Sequence, residues 1–255
     1  MNRPSPSGKP SGHLGAYALI GAIVAATAIA FGYVGGWLAP NRLTPARLVS
    51  QLQITNGGVY PGYRRNHAKG VCVLGYFQSN GQASAYSVAQ VFAPNERTPV
   101  VGRFAIPGGN PYAPDSSIPI RSMALRFALA NGQQWRTGMN DMPVFPVSTP
   151  EAFYQMLQAQ QPDAATGKPD PLRMTAFFGA HPETAEFLAW VKTARPSASF
   201  ADQNYWSLDA FELVDGHGRR HPVRWRMAPE TPVSDAAGPA GDPDYLDGDL
   251  RQRLA

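Results

Sequence analysis

Cysteine is nearly absent: Cys72 is the only one in the chain. That excludes a disulfide within a single chain and any cysteine-rich metal site. None of the five histidines, His13, His67, His181, His217 and His221, belongs to a His-Glu-x-x-His motif, so a zinc centre is not expected. Gly-x-Ser-x-Gly, the P-loop and the dinucleotide fingerprint are all missing, and the glycines of "RFAIPGGNP" precede no helical pattern that could cradle a phosphate. Charge is sparse too. The net value is +4, from 22 basic and 18 acidic side chains spread along the chain, which argues against nucleic acid as a partner. Acidic residues are missing altogether from the first forty positions.

Those first forty positions hold a short polar tail, 1–13, and then an uncharged run from Leu14 to Leu38. As a helix the run would extend roughly 37 Å, enough to cross a bilayer with some tilt. Tyr33 and Trp37 near its far end suit an interfacial aromatic belt. The run is long for a secretory signal and "GWLAPNR" is a poor cleavage site, so an uncleaved transmembrane anchor over 14–38 is expected in preference to a cleaved signal. Arg3 and Lys9 precede the run while Arg42 and Arg47 follow it, so the charge asymmetry is slight. The expected arrangement leaves the tail in the cytoplasm and the body periplasmic or otherwise extracytoplasmic.

A connector over 39–55 carries one short amphipathic helix, about Pro45 to Gln53. Strand-like segments follow at Val71–Phe77 and Ala89–Ala93, then two strands around Asn131-Gly132, a strong short hairpin signal. Ser148 or Thr149 with Pro150 and Glu151 reads as a helix start, and Pro182 opens a second helix that Pro196 stops. A last hairpin flanks Asp215–Gly218, and Val223, Trp225 and Met227 alternate with Arg224 and Arg226. The class is α+β, an antiparallel sheet core with added helices, over 56–230. The Pro-, Asp- and Gly-rich segment 231–255 reads as an irregular tail.

His67 stands amid Arg64, Arg65, Asn66 and Lys69. Neighbouring cations oppose protonation of the ring and favour a neutral imidazole able to act as a base. The run "RRNHAKG" leading to "GYF" resembles the distal-histidine motif of haem catalases. In order along the chain, "VGRFAIPGG", "IRSMALRF", "GQQWRTGMNDMPVFPV" and "NYWSLDAFELVDGHGRRHPVRWRMAPE" resemble later catalase segments, from about Asn56 to Glu230. The likeness is greatest to the small catalase-related peroxidases, several of which carry an N-terminal anchor. It implies a catalase-like, β-barrel-type core, haem as cofactor, and breakdown of hydrogen peroxide or organic hydroperoxides with an unidentified reductant. It assigns His67 as the acid–base residue that moves a proton between the peroxide oxygens, and Asn140 as the amide that positions the peroxide. It sets Arg64 and Arg103 at the haem propionates, where a guanidinium fork suits a carboxylate, and Phe153 against the haem face. It assigns no protein metal ligand in this chain, and it implies a possible homodimer.

The chain departs from the family pattern at several points. Asn66 and Arg65 replace apolar residues, and Ala105 replaces a serine that tunes the distal histidine, which favours peroxidase-type turnover. The family's iron ligand is a tyrosine four residues after an arginine. No arginine here has one, and Tyr245 sits among carboxylates in "GDPDYLDGD". The expectation is a chain that stops before the proximal ligand, and the alternative is a non-catalytic protein of catalase fold.

Overall fold

The computed structural model describes residues 13–38, 42–234, 236–239 and 241–255. The chain divides into two compact units, Met1–Val49 and Ser50–Ala255. In the first, α1 (His13–Val34) is apolar all round and its large side chains are exposed. By length and composition it could cross a membrane, a test that a signal sequence also passes. The helix ends where the Trp37 and Leu38 amides both donate to the Gly32 carbonyl, and Arg42 lies 5.2 Å from the centre of the Tyr33 ring. The amphipathic helix α2 (Pro45–Thr55) runs across the boundary between the units.

The second unit is built on an antiparallel sheet of order β1-β2-β3-β4-β5-β8. Its long strands are β1 (Gly70–Gln78), β2 (Arg97–Ala105), β3 (Ser122–Ala128) and β4 (Gln134–Asn140). Asn131-Gly132 makes the β3–β4 turn as expected, with Gly132 at φ 83°. Alternation sorts the two faces. Val71, Val73, Phe104, Met123, Leu125, Phe127, Trp135 and Met139 point into the apolar core. Cys72, Leu74, Tyr76 and Val101 are carried by the opposite face, with Leu74 84% exposed.

Among the described residues the sheet is open, not a closed barrel. The pairing fades to two residues in β5 (Tyr205–Trp206) and β8 (Arg226–Met227), while β6 (Phe211–Val214) and β7 (Arg220–Val223) leave to form their own hairpin. Residues 89–93 do not form a strand: Gln90–Phe92 is one 3-10 turn, closed by the Ala93 amide on the Gln90 carbonyl.

Helix α3 (Pro150–Ala159) starts as the sequence suggests, with the Thr149 hydroxyl accepting from the Ala152 amide at 3.1 Å. Helix α4 (Pro171–Ala180) repeats the device with Asp170, whose carboxylate accepts from the Leu172 amide. Helix α5 (Ala185–Thr193) follows a short turn opened by Pro182.

The segment expected to be an irregular tail instead ends in α6 (Tyr245–Leu254), which packs Tyr245, Leu246 and Leu250 against Ile106 and Phe200. Its polar ties are as specific. The Leu246 amide donates to Asp115 at 2.9 Å, and the Lys69 ammonium lies 2.8 Å from Asp115 and 2.7 Å from Asp244. Arg253 forks onto both oxygens of Asp202 at 2.9 and 2.8 Å. Three apolar residues, an adjacent pair and one more a turn later, hidden among Asp and Arg, make too faint a stripe for sequence periodicity to reveal.

Candidate active site

The register of β2, β3 and β4 builds a polar floor. Cross-strand partners share a face, so Arg103, Ala124 and Gly138 form one row, and Ala105, Ser122 and Asn140 the next. Both rows face away from the core because Phe104, Met123 and Met139 face into it. Just before β1 the chain passes over this floor in the loop that carries His67.

That loop is held tightly. The His67 backbone adopts φ 54°, a left-handed conformation in which histidine is among the more frequent non-glycine residues. Asn66 fixes it from below: its Oδ1 accepts from the His67 amide at 3.0 Å and from the Gly108 amide at 2.7 Å. Arg103 fixes it from the sheet, donating to the carbonyls of His67 at 2.9 Å and Ala68 at 3.1 Å. The His67 Nε2 lies 3.0 Å from the Ser122 hydroxyl, which donates to the Asn140 Oδ1 at 2.6 Å.

Behind the floor, Arg121 and Asp141 lock the strand ends that carry Ser122 and Asn140. Each backbone amide finds the other residue: Asp141 N–H donates to the Arg121 carbonyl, and Arg121 N–H to the Asp141 carboxylate, both at 2.9 Å. The Arg121 side chain is wholly buried and donates to the carbonyls of Ile118 and Ser197 and to the Tyr245 hydroxyl. Tyr245 in turn donates to the Ser197 carbonyl at 3.1 Å. Its hydroxyl is thereby tied into the back layer by Arg121 and Ser197.

Two cavities meet at this assembly. One, of about 280 Å³, is lined by Arg64, Asn66, His67, Arg103, Ala105, Ser122, Ala124, Gly138 and Asn140. The other, of about 260 Å³, is mainly apolar, with Ile118, Ile120, Met142, Phe145, Phe153, Met156, Leu157 and Phe187 in its wall; Asn66, His67 and Asn140 belong to it as well. The polar trio is thus the shared partition. Phe153 stands in the apolar cavity, 5.6 Å from the Phe145 ring, and not among the residues beside the arginines.

The electrostatics suit proton transfer. Burial pushes the His67 pKa below its ordinary value near 6.5, and the charges of Arg103 and then Arg64 push it further. The ring is a neutral base at pH 7. The Arg103 guanidinium is itself held below its usual value by burial, with Arg64 adding repulsion. Arg64 makes no hydrogen bond or ion pair among the described residues and lines the cavity beside Arg103. Burial pushes the Asp141 carboxyl up to about 7.

The sequence pointed to His67, Asn140, Arg64 and Arg103, and the structure brings them together around one cavity. It did not point to Ser122 or Asn66. Ser122 carried one legible signal, a small polar residue opposite the apolar alternation of β3.

A model of the catalase family, described as Catalase, matches residues 43–253. A catalase-related peroxidase of Synechococcus elongatus is 36% identical over 218 residues, covering 84% of this chain and 64% of that protein. A second, from Mycolicibacterium paratuberculosis, is 32% identical over 218 residues, covering 83% and 67%. The chain therefore spans less than two thirds of the first relative's length. A solved bacterial catalase superposes with a TM-score of 0.66 at 23% identity, over 84% of this chain and 43% of that one.

The arginine rim of this cavity offers the charge that the carboxylate edge of the haem implied by this kinship would need. Ala105, Ala124 and Gly138 give a low, flat floor, and a Cβ added at Gly138 would stand in open space with nothing within 4 Å. Two guanidinium groups at the rim match a dianionic macrocycle edge. No tyrosine among the described residues lines either cavity.

Proposed function

The chain belongs to the catalase family, and from that premise we propose that it consumes peroxides with a haem held against the floor of β2, β3 and β4. The observation that carries this reading is the shared partition. His67 and Asn140 line both the arginine-rimmed cavity, where the cofactor's carboxylates would sit, and the apolar cavity through which a peroxide would come. Bound haem would supply cleavage of the O–O bond and the redox equivalents. The residues of this chain supply the rest. His67, neutral at pH 7, takes the proton from one peroxide oxygen and returns it to the other, a role worth on the order of 10²–10⁴ in rate. Asn140 donates its amide N–H to the peroxide and holds it beside His67. Arg64 and Arg103 pair with the carboxylates of the macrocycle, and Phe153 walls the approach. That wall is apolar, which favours small organic hydroperoxides alongside hydrogen peroxide; the electron donor is a separate reductant.

The same reading gives α1 the task of anchoring the chain in a membrane with its second unit on the extracytoplasmic side, and pairs two copies as a homodimer. The test is an absorbance spectrum of the full chain supplied with haem, followed by peroxide turnover. A Soret band, with turnover lost in His67→Ala and Asn140→Ala, is expected; full turnover in both variants would sink the mechanism. A second reading, a catalase-fold protein that turns over no peroxide, draws on the lack of a tyrosine at either cavity. It requires that haem fails to bind stoichiometrically, or binds without turnover.

A further inference from the structure

We propose that Ile54, Val59, Tyr60, Tyr63, Arg65 and Tyr112 form a docking surface on the second unit for an anionic lipid bilayer. This rests on the reading of α1 as a membrane helix given above. The six residues are one surface. The Tyr112 ring meets the rings of Tyr60 and Tyr63 edge to face, with centres 6.2 and 6.0 Å apart. Arg65 ties these tyrosines to the end of α2. Its guanidinium donates to the Gln53 side chain at 2.7 Å, and its carbonyl accepts from the Asn56 side-chain amide at 3.1 Å. The apolar members are uncovered: Tyr112 is 72% exposed, Val59 62%, Ile54 49% and Tyr63 48%. A single exposed apolar side chain needs no explanation, but a contiguous group of them marks an interaction surface.

Charge and side-chain chemistry choose the occupant. No acidic residue precedes Glu96 in the chain, while seven lysines and arginines do. The first carboxylate after Tyr112, that of Asp115, is buried and paired with Lys69. The surface therefore offers a guanidinium and three phenols and no carboxylate, which suits lipid phosphates. A tyrosine ring, apolar in body and polar at its tip, sits well at headgroup level. The tether is short: Val59 follows the last residue of α1, Val34, by 25 positions, so a bilayer that holds α1 is always within reach. The same segment places Leu52, Thr55 and Asn56 in the wall of the apolar cavity. Docking thus sets that cavity beside the lipid.

The test is fluorescence quenching on the full chain in vesicles of phosphatidylcholine, with and without phosphatidylglycerol. In a Cys72→Ser background, Val59→Cys, Val88→Cys and Ala25→Cys each carry one environment-sensitive dye. Val88 is the control: it is 70% exposed and lies beyond the far end of β1 from the His67 loop. Ala25, within α1, reports on the membrane helix itself. Lipids spin-labelled at the headgroup should quench Val59→Cys but not Val88→Cys, and only with phosphatidylglycerol present. Lipids labelled deep in the acyl chain should quench Ala25→Cys in both vesicles. Added salt should weaken the Val59→Cys signal. Arg65→Gln should lower its docked-to-free ratio about fivefold, the worth of one basic side chain at an anionic surface, and Arg65→Lys should restore it. If Ala25→Cys is quenched while Val59→Cys is quenched no more than Val88→Cys, the inference is overturned and the surface is left to a protein partner. Equal quenching of Val59→Cys with and without phosphatidylglycerol overturns it as well. An unquenched Ala25→Cys would instead overturn the membrane reading of α1, and the docking surface with it only if Val59→Cys is unquenched too.

Discussion

Leu246→Ala tests whether α6 is a docked part of the folded unit. Leu246 is 1% exposed and packed among Ile106, Phe200, Tyr245 and Leu250. The substitution removes three carbons, worth about 2.4 kcal/mol at ~0.8 per methylene. The ring of Phe200 and the strand under Ile106 can relax only in part, so a cavity term of about 1 kcal/mol adds to this. Alanine's better helix propensity returns only about 0.2 kcal/mol. The net loss is about 3 kcal/mol. Leu254→Ala on the same helix is the control: Leu254 is 71% exposed, and the change should lie within about 0.5 kcal/mol. Urea unfolding of the full chain in detergent, followed by tryptophan fluorescence, reads both. With a slope of about 3 kcal/mol/M, Leu246→Ala should lower the midpoint by about 1 M. Equal midpoints for the two variants would show that α6 is not docked.

Gly138→Val should cut haem retention at least tenfold, read as loss of the Soret band on gel filtration, while leaving the melt unchanged, because its side chain enters open space over the floor. The depressed His67 pKa means that the unfolded chain binds a proton the native one refuses. Stability from this group is therefore complete above about pH 6.5 and is lost on acidification below it, and the acid limb of turnover should fall below the same value. Asp141 has the opposite sign. Raised to about 7, its carboxyl costs stability as pH rises from about 4 to 7, so Asp141→Asn should stabilise the chain at pH 8 by about 1–3 kcal/mol and flatten that part of the pH profile. Phe153→Ala should lower KM for a bulky organic hydroperoxide while changing hydrogen peroxide turnover less than about twofold; an equal effect on both would remove Phe153 from the approach.

Local chemistry made much of the fold legible. Asn131-Gly132 fixed the β3–β4 hairpin, and the Thr149–Pro150 cap fixed the start of α3. The Asp170–Pro171 pair carries the same signal for α4. The 3-10 turn at Gln90–Phe92 was hidden because a short apolar run serves turn and strand equally. At the site, His67, Arg64, Arg103 and Asn140 were legible through motifs held in order. Ser122 was not, because its meaning depends on the hydroxyl lying between two groups 55 and 18 residues away. Arg121 was not legible either: a buried guanidinium satisfied by carbonyls and one phenol looks, in sequence, like any strand-end cation.

The left-handed backbone at His67 sets function against stability. A side chain with a Cβ pays about 1–2 kcal/mol to sit at φ 54°, while glycine pays almost nothing and asparagine little. Burying that ring beside two guanidinium groups adds a second cost below pH 6.5. The loop would thus be more comfortable without its base. His67→Gly and His67→Asn should be tolerated by the fold better than His67→Ala, so that a single change could silence the chemistry while leaving a sound, even sturdier, protein. An inactive variant of this chain need not be a misfolded one.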